Sequence, residues 1–325
     1  MKKLFSLVLC LMMAAALIPA SAEGALKTGL AAVVALTPAD ATENKDGQVR
    51  NEVTFAAVTV DEDGKIVDCK IDSYRADITF DATGKLTKDA GTKFDSKREM
   101  GEAYGMGAVA PKGEWDKQTE GFAAYCVGKT LDEIKGIALN EEGKATDEDI
   151  LATTTISMGD FVKVVALAVE KAEDHGAQAG DELKLVSVAD MHASKDASEN
   201  KDGATQLDAT YAAVTLKDGV ITGIVIDAVQ PKATFSAEGK VTGDTTAEVL
   251  SKLEKGDAYG MNGVAPKGEW YQQVAGFCAY VTGKTAADAA GIAMGEDGKA
   301  TDEDLLATTT ISIGEFVSLL EKLTK

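Results

Sequence analysis

Hydrophobic and polar positions follow the same order twice along this chain. An apolar stretch occupies 29–36 (GLAAVVAL), and a second one, LKLVSVA, occupies 183–189. Each is followed by a polar loop and then by two extended segments around a short turn, DEDG at 61–64 and DG at 218–219. Apolar stretches bounded by such turns are typical of β-strands joined as hairpins. A further turn at 82–85, and its counterpart at 237–240, separates two more extended segments.

Short helices are predicted after these strands. Thr130 precedes Glu133 by three residues, which is the spacing of a capping box, and Thr285 precedes Asp288 in the same way. The pair Thr146 and Asp149 predicts another short capped turn.

The last helix of each copy has the clearest pattern. Apolar residues recur at i, i+3, i+4 and i+7, so that they share one helical face. They are Phe161, Val164, Val165 and Ala168 in the first copy, and Phe316, Leu319, Leu320 and Leu323 in the second. Ser312 and Glu315 have the spacing of a capping box at the start of this helix, and Ser157 and Asp160 match them in the first copy.

Identical short strings show that the chain is a duplication. YGM recurs at 104 and 259, PKGEW at 111 and 266, and GKT at 128 and 283, each time 155 residues apart. This period is far longer than the roughly 20–50 residues of solenoid repeats. We therefore predict two homologous domains, at 23–172 and 180–325, joined by a linker at 173–179. Strands precede helices in each copy, which predicts an α+β fold with a mostly antiparallel sheet and C-terminal helices packed on it.

The first 22 residues have the pattern of a secretory signal peptide. Lys2 and Lys3 precede an apolar run, and the small residues ASA at 20–22 form a cleavage site. We expect cleavage before Glu23 and a secreted protein, either extracellular or at the cell surface. Later apolar runs are too short to cross a bilayer, so no transmembrane segment is expected after cleavage.

Composition narrows the possible functions. The formal net charge of −20 would repel nucleic acid and anionic membranes, so neither is an expected partner. The only histidines are His175 and His192, which argues against a Ser-His-Asp enzyme and against a histidine-rich metal site. Outside the signal peptide, Cys69, Cys126 and Cys278 are scattered and odd in number. They indicate small buried side chains rather than a disulfide framework.

The candidate chemistry lies in a threonine cluster that both copies keep. TDEDILATTTIS begins at Thr146, and TDEDLLATTTIS begins at Thr301. The threonines lead into the predicted start of the last helix, where free N–H groups and the helix dipole favour a phosphate. Their hydroxyls can donate to that phosphate or be esterified by it. The alternative is structural, since Thr and Ser also cap helices and a β-branched triplet suits a strand.

The whole repeat resembles the FMN-binding domain family, in its secreted and often duplicated form. The strings that carry the resemblance are AAVTVDEDGKI, IDSYRADITFDATGKL, YGMGAVAPKGEW, VGKT and TDEDILATTTISMGDF. In that family a threonine near the C-terminal helix can carry FMN through a phosphoester made by a flavin transferase. The family motif, laid on this chain, places its aspartate at Asp149 and Asp304 and its acceptor at Thr155 and Thr310. The neighbouring residues implied at the FMN site are Thr154, Thr309, Ser157 and Ser312.

The resemblance implies a non-catalytic electron carrier. One FMN in each domain would exchange electrons with a redox partner, for example in extracellular electron transfer. Four aromatic residues in or beside glycine-rich loops are candidate faces for the flavin ring, or else parts of the core; they are Tyr104, Trp115, Tyr259 and Trp270. Ala152 and Ala307 stand where the family motif has Ser or Thr. This departure favours a second hypothesis, a surface or extracellular module that binds a protein or a ligand other than flavin.

Overall fold

The fold is seen in a computed structural model that describes residues 24–325. The predicted signal peptide at 1–22 lies outside these residues. The described chain consists of two similar halves, each an antiparallel sheet followed by helices, so the predicted α+β class is confirmed.

The first half begins with three long antiparallel strands in the order β1-β2-β3. Its strands are β1 (Lys27–Ala39), β2 (Gly47–Val60), β3 (Ile66–Phe80) and the short β4 (Lys93–Phe94). Its helices are α1 (Lys97–Met100), α2 (Trp115–Cys126), α3 (Leu131–Lys135), α4 (Glu148–Leu151) and α5 (Gly159–Glu170), with a 3-10 turn at Gly101–Tyr104.

The second half repeats this order with shorter strands. Its strands are β5 (Glu182–Asp190), β6 (Gly203–Gln206), β7 (Asp208–Lys217), β8 (Val220–Val229) and β9 (Lys232–Phe235). Its helices are α6 (Lys252–Lys255), α7 (Trp270–Val281), α8 (Ala286–Ala290), α9 (Glu303–Leu306) and α10 (Gly314–Lys322), with a 3-10 turn at Gly256–Tyr259. The main sheet has the order β4-β5-β7-β8, so the first half contributes one edge strand, and β6 pairs with β9.

One face of each main sheet is covered by the helices of its own half. The predicted apolar face of the last helix is buried in both copies, with Leu323 only partly buried at the end of the second. The predicted caps at Thr130 and Thr285 are confirmed, because each hydroxyl accepts the N–H three residues later.

Three of the predicted helix starts, at Ser157, Ser312 and Thr146, are wrong. Met158 and Ile313 occupy the cap positions of α5 and α10, and no side chain caps either helix. The N–H of Met158 donates to the carbonyl of Gly143 at 2.7 Å, so the turn at Gly143 lies against the start of α5. Asp147, rather than Thr146, caps α4 by accepting the N–H of Asp149 at 2.8 Å.

The opposite faces of the two main sheets pack on each other. The rings of Phe55 in β2 and Tyr211 in β7 stack with centroids 5.3 Å apart. The hydroxyls of Tyr74 and Ser187 are 2.8 Å apart across the same interface. A single apolar cluster therefore includes residues of both halves.

The halves also exchange loops in a reciprocal way. The N–H of Ala41 donates to the carbonyl of Gly239, and the N–H of Ala197 donates to the carbonyl of Gly84, both at 2.8 Å. Both glycines have positive φ, and a Cβ on Gly84 would lie 2.8 Å from the Cβ of Ala197. Only glycine fits such a position without displacing the other half.

The predicted linker at 173–179 lies along the first strand. Thr28 and Glu173 exchange two backbone hydrogen bonds of 2.8 and 3.1 Å, and the N–H of Leu26 donates to Ala177 at 2.9 Å. The division into 23–172 and 180–325 stays a prediction, but the two halves share a core. Within 24–325, the helices are all too short or too polar to span a membrane.

The shared core predicts that the protein unfolds as one cooperative unit. Phe80 and Phe235 stack across the halves with centroids 4.1 Å apart. We expect Phe235→Ala to lower the free energy of unfolding by about 3–5 kcal/mol, the usual loss for a buried phenylalanine. Urea denaturation followed by far-UV circular dichroism and by tryptophan fluorescence measures the number of unfolding transitions and the free energy of unfolding.

Val264→Ala is the control, since Val264 is 83% exposed and its truncation should change stability by less than about 0.5 kcal/mol. Two separate transitions in the unmutated protein would contradict the shared core.

Candidate functional site

Gln118 organises the threonine cluster of the first half. Its buried carboxamide oxygen accepts the backbone N–H of Thr155 at 2.8 Å and the Thr155 hydroxyl at 3.2 Å. Its backbone carbonyl accepts the hydroxyl of Thr154 at 2.8 Å, and its amide nitrogen donates to the carbonyl of Gly113 at 3.0 Å. One side chain in α2 thus joins the threonine turn to the PKGEW loop.

Gln273 repeats this network in the second half. It accepts the N–H of Thr310 at 2.8 Å and the Thr310 hydroxyl at 3.1 Å, and its backbone carbonyl accepts the Thr309 hydroxyl at 2.8 Å. Its amide nitrogen donates to Gly268 at 2.9 Å. Sequence reasoning missed both glutamines, although each follows the repeated tryptophan by three residues.

The first threonine of each triplet packs on a glycine inside the preceding helix. A Cβ on Gly121 would lie 2.5 Å from the side chain of Thr153, and one on Gly276 would lie 2.5 Å from Thr308. Glycine is unfavourable in a helix interior, so its presence in α2 and α7 reflects this close contact.

The other predicted site residues lie apart from the acceptor hydroxyls. Asp149 and Asp304 are exposed in the first turns of α4 and α9. Within residues 24–325, no hydrogen bond joins either carboxylate to the threonine triplets. Ser157 and Ser312 are exposed as well, and their side chains lie over the turns that contain Gly143 and Gly298.

A turn of the chain lies against the cap residue of each last helix. The carbonyl of Gly143 accepts the N–H of Met158, and the carbonyl of Gly298 accepts the N–H of Ile313 at 2.9 Å. Asp160 adds a carboxylate to the first turn of α5, where it complements the positive end of the helix dipole. The hydroxyls of Thr155 and Thr310 donate to the glutamine oxygens, and both residues are half-buried.

The tryptophans are parts of the core rather than open faces for a ring. Trp115 and Trp270 are buried, at 3% and 4% exposure. The ammonium of Lys97 lies 5.3 Å from the Trp115 ring centroid and 5.4 Å from that of Tyr104, and Lys252 repeats this contact at Trp270. Such cation–π contacts stabilise the loop that follows α1 and α6.

A cavity of about 600 Å³ lies between the two halves, beside the edge strand β8. Its apolar wall includes Leu30 of β1, Ile224 and Ile226 of β8, and Val274 and Cys278 of α7.

Charged groups lie at one side of this cavity. Asp227, Lys171 and Glu254 all line it, and the Lys171 ammonium is 2.6 Å from the Glu254 carboxylate. This ion pair joins the end of α5 in one half to α6 in the other. The cavity therefore combines an apolar wall with a few polar groups, as ligand sites commonly do.

Asp227 and its counterpart Asp72 are buried carboxyls that sequence reasoning missed. Asp227 is 2% exposed and accepts the N–H groups of Ala228 at 2.7 Å and Leu253 at 3.0 Å. Asp72 accepts the N–H groups of Ser73 and Arg98 in the same way. Burial raises the pKa of each carboxyl to about 6, against the opposing effect of these hydrogen bonds. The only sequence signal is an aspartate after isoleucine in each hairpin strand.

These two carboxyls predict a specific pH dependence of stability. When a carboxyl has a higher pKa in the folded protein than in the unfolded chain, it lowers the free energy of unfolding as the pH rises from the unfolded pKa to the folded pKa. Asp227→Asn removes this loss at one site. We expect the stability of the variant, relative to the unmutated protein, to rise by about 1.4 kcal/mol between pH 5 and pH 7.5.

Urea denaturation at the two pH values measures this difference, and the range stays above the pI of about 4.5. Asp218→Asn, at an exposed turn, controls for the loss of one charge. A relative stability that does not change with pH would contradict the raised pKa of Asp227.

Comparison with models of known protein families, with curated proteins and with solved structures finds no match for this chain. The resemblance to the FMN-binding domain family therefore stays a prediction from the sequence.

Proposed function

We propose that this protein is an exported, non-catalytic binding module whose ligand site is the cavity between its halves. The observation that carries the proposal is the cavity itself, about 600 Å³ in volume, with an apolar wall and a buried carboxyl at one side. Sites for small molecules commonly have roughly 300–1,000 Å³ and lie at interfaces between domains. The signal peptide predicted at 1–22 supports a location outside the cytoplasm.

The lining indicates the chemical class of the ligand. Ile224, Ile226 and Val274 would contact an apolar body. Asp227, Glu173 and Glu254 oppose a single lysine, Lys171, so the charged side of the cavity is acidic. An acidic surface disfavours anions, so the ligand is a small amphipathic molecule with a neutral or cationic head group.

The reactive side chains of the cavity support binding rather than catalysis. Burial raises the pKa of the Cys278 thiol to about 12, so the nucleophilic thiolate is scarce at neutral pH. Burial also lowers the pKa of His175, which lines the same cavity and therefore stays neutral.

Blocking the cavity should abolish ligand binding. Ala279 lines the cavity and is exposed, so Ala279→Trp fills the space without disturbing the core. With Nile red as a neutral apolar probe, we expect one binding site with blue-shifted fluorescence, and a loss of affinity of at least about tenfold in this variant.

Ala124→Trp is the matched control, because Ala124 is exposed at the equivalent position of the first half. Equal affinity in the two variants, or no binding by the unmutated protein, would exclude the cavity as the ligand site.

Flavin carriage is the second candidate function. The observation that favours it is that Thr155 and Thr310 have the same environment in the two halves. Each is half-buried, and its hydroxyl donates to the carboxamide oxygen of a glutamine. A flavin transferase and a redox partner would then be required. Neither threonine lines the cavity between the halves.

Co-expression with a flavin transferase tests this candidate. Covalent FMN would give a yellow protein whose intact mass rises by one or two FMN additions, and Thr155→Val with Thr310→Val would remove them. A colourless protein of unchanged mass would exclude covalent flavin and leave the ligand-binding proposal untouched.

A further inference from the structure

A cluster of two carboxylates and one imidazole lies at the end of β5, away from the cavity between the halves. Asp190 ends β5, Asp208 begins β7, and the two residues are directly paired in the antiparallel ladder. His192 follows two residues after Asp190. One potential ligand atom from each of the three residues lies within 4.8 Å of the other two.

Asp208 has an oxygen that the protein leaves without a hydrogen bond. The residue is only 6% exposed. Its Oδ1 accepts the amide groups of Gln206 at 2.9 Å and Gln230 at 2.6 Å. Its Oδ2 is buried and, among residues 24–325, has no hydrogen-bond partner. Burying a carboxylate oxygen without a hydrogen-bond donor costs free energy, and a bound cation would offset that cost.

The imidazole is placed to share that cation. His192 Nδ1 is 3.7 Å from Asp208 Oδ2 and also contacts Asp190 Oδ1. The His192 side chain is 61% exposed, so its ring can move by the small distance that coordination requires.

We propose that Asp190, His192 and Asp208 form a binding site for a divalent transition-metal ion of the zinc type. One imidazole nitrogen and two carboxylate oxygens are ligands that Zn²⁺ accepts, and three protein ligands leave a coordination position for water. Mg²⁺ and Ca²⁺ bind oxygen ligands, so the imidazole favours zinc over them.

The open side of the metal site faces a second cleft. Asp190 and Asp208 both line this cleft, which also has a volume of about 600 Å³. Glu315, in the first turn of α10, lies in the same lining and accepts the hydroxyl of Thr210 at 2.5 Å. An acidic cleft would concentrate cations near the site.

The first half provides a natural comparison. In the first half Glu52 pairs with Ala35, as Asp208 pairs with Asp190, and Thr37 follows Ala35 by two residues as His192 follows Asp190. The imidazole and one carboxylate are therefore missing there, although the fold is the same. The metal site belongs to the second half alone, and its residues can be exchanged for those of the first half.

The experiment is a titration of the full chain with Zn²⁺, by calorimetry, after removal of metals with a chelator. We expect one ion per chain. His192→Thr and Asp190→Ala copy the residues of the first half, and Asp208→Asn keeps the hydrogen bonds of Oδ1. Each substitution should weaken binding by at least about tenfold. Removing a residue that only hydrogen-bonds to a metal ligand already costs about that much affinity.

His175→Gln is the control, because it removes the other histidine of the chain and should leave binding unchanged. Circular dichroism without metal shows whether each variant is folded, and if Asp208→Asn is not, the other two variants decide. The visible spectrum of bound Co²⁺ reports the coordination geometry independently. The proposal would be overturned if the unmutated protein did not bind, or if His192→Thr and Asp190→Ala bound as tightly as the unmutated protein.

Discussion

The packing of one sheet on the other is the interaction on which the rest of this structure depends. Each main sheet has two apolar faces, and the helices of its own half cover only one of them. Strand β2 shows this most clearly, since residues 53–60 are buried without interruption. Such a strand is stable only when both of its faces are covered. Phe55, Tyr74 and Tyr211 supply the large side chains of the second interface, and the reciprocal loop contacts fix how the sheets are aligned.

The strings that both copies share serve the fold, whereas the positions at which the copies differ include the two proposed sites. The threonine triplet and the residues around it are kept twice because Gln118 and Gln273 tie them to the helix before them. Glu269, in the repeated PKGEW string, accepts the N–H groups of Met261 and Asn262 in the same structural way. The two proposed sites lie where the copies differ, beside β8 and at the end of β5. In a duplicated chain, identity can thus report the needs of folding, while divergence reports the positions open to a function.

Much of the fold could be predicted, because local patterns specify strands, turns and amphipathic helices. The 3.6-residue spacing around Phe161 and Phe316 predicted the buried helical face, and the caps at Thr130 and Thr285 followed from short-range hydrogen bonds. The cap at Ser157 failed because the helix begins one residue later, after Met158, whose N–H donates to a turn distant in sequence at Gly143. The cavity, the buried carboxyl of Asp227 and the pairing of Asp190 with Asp208 also depend on how distant segments meet. A single sequence carries no signal for such contacts between distant segments.

The reciprocal contact between the halves bears on how such a chain can arise. A protein with one copy would expose the sheet face that the other copy covers here, and the loop carbonyl of Gly84 would lose the donor that Ala197 provides. Its stable form would be a symmetric pair whose population depends on concentration. Joining two copies in one chain replaces that bimolecular encounter with an intramolecular one. It also frees each copy to mutate separately, so that one protein can carry different sites on two versions of the same fold.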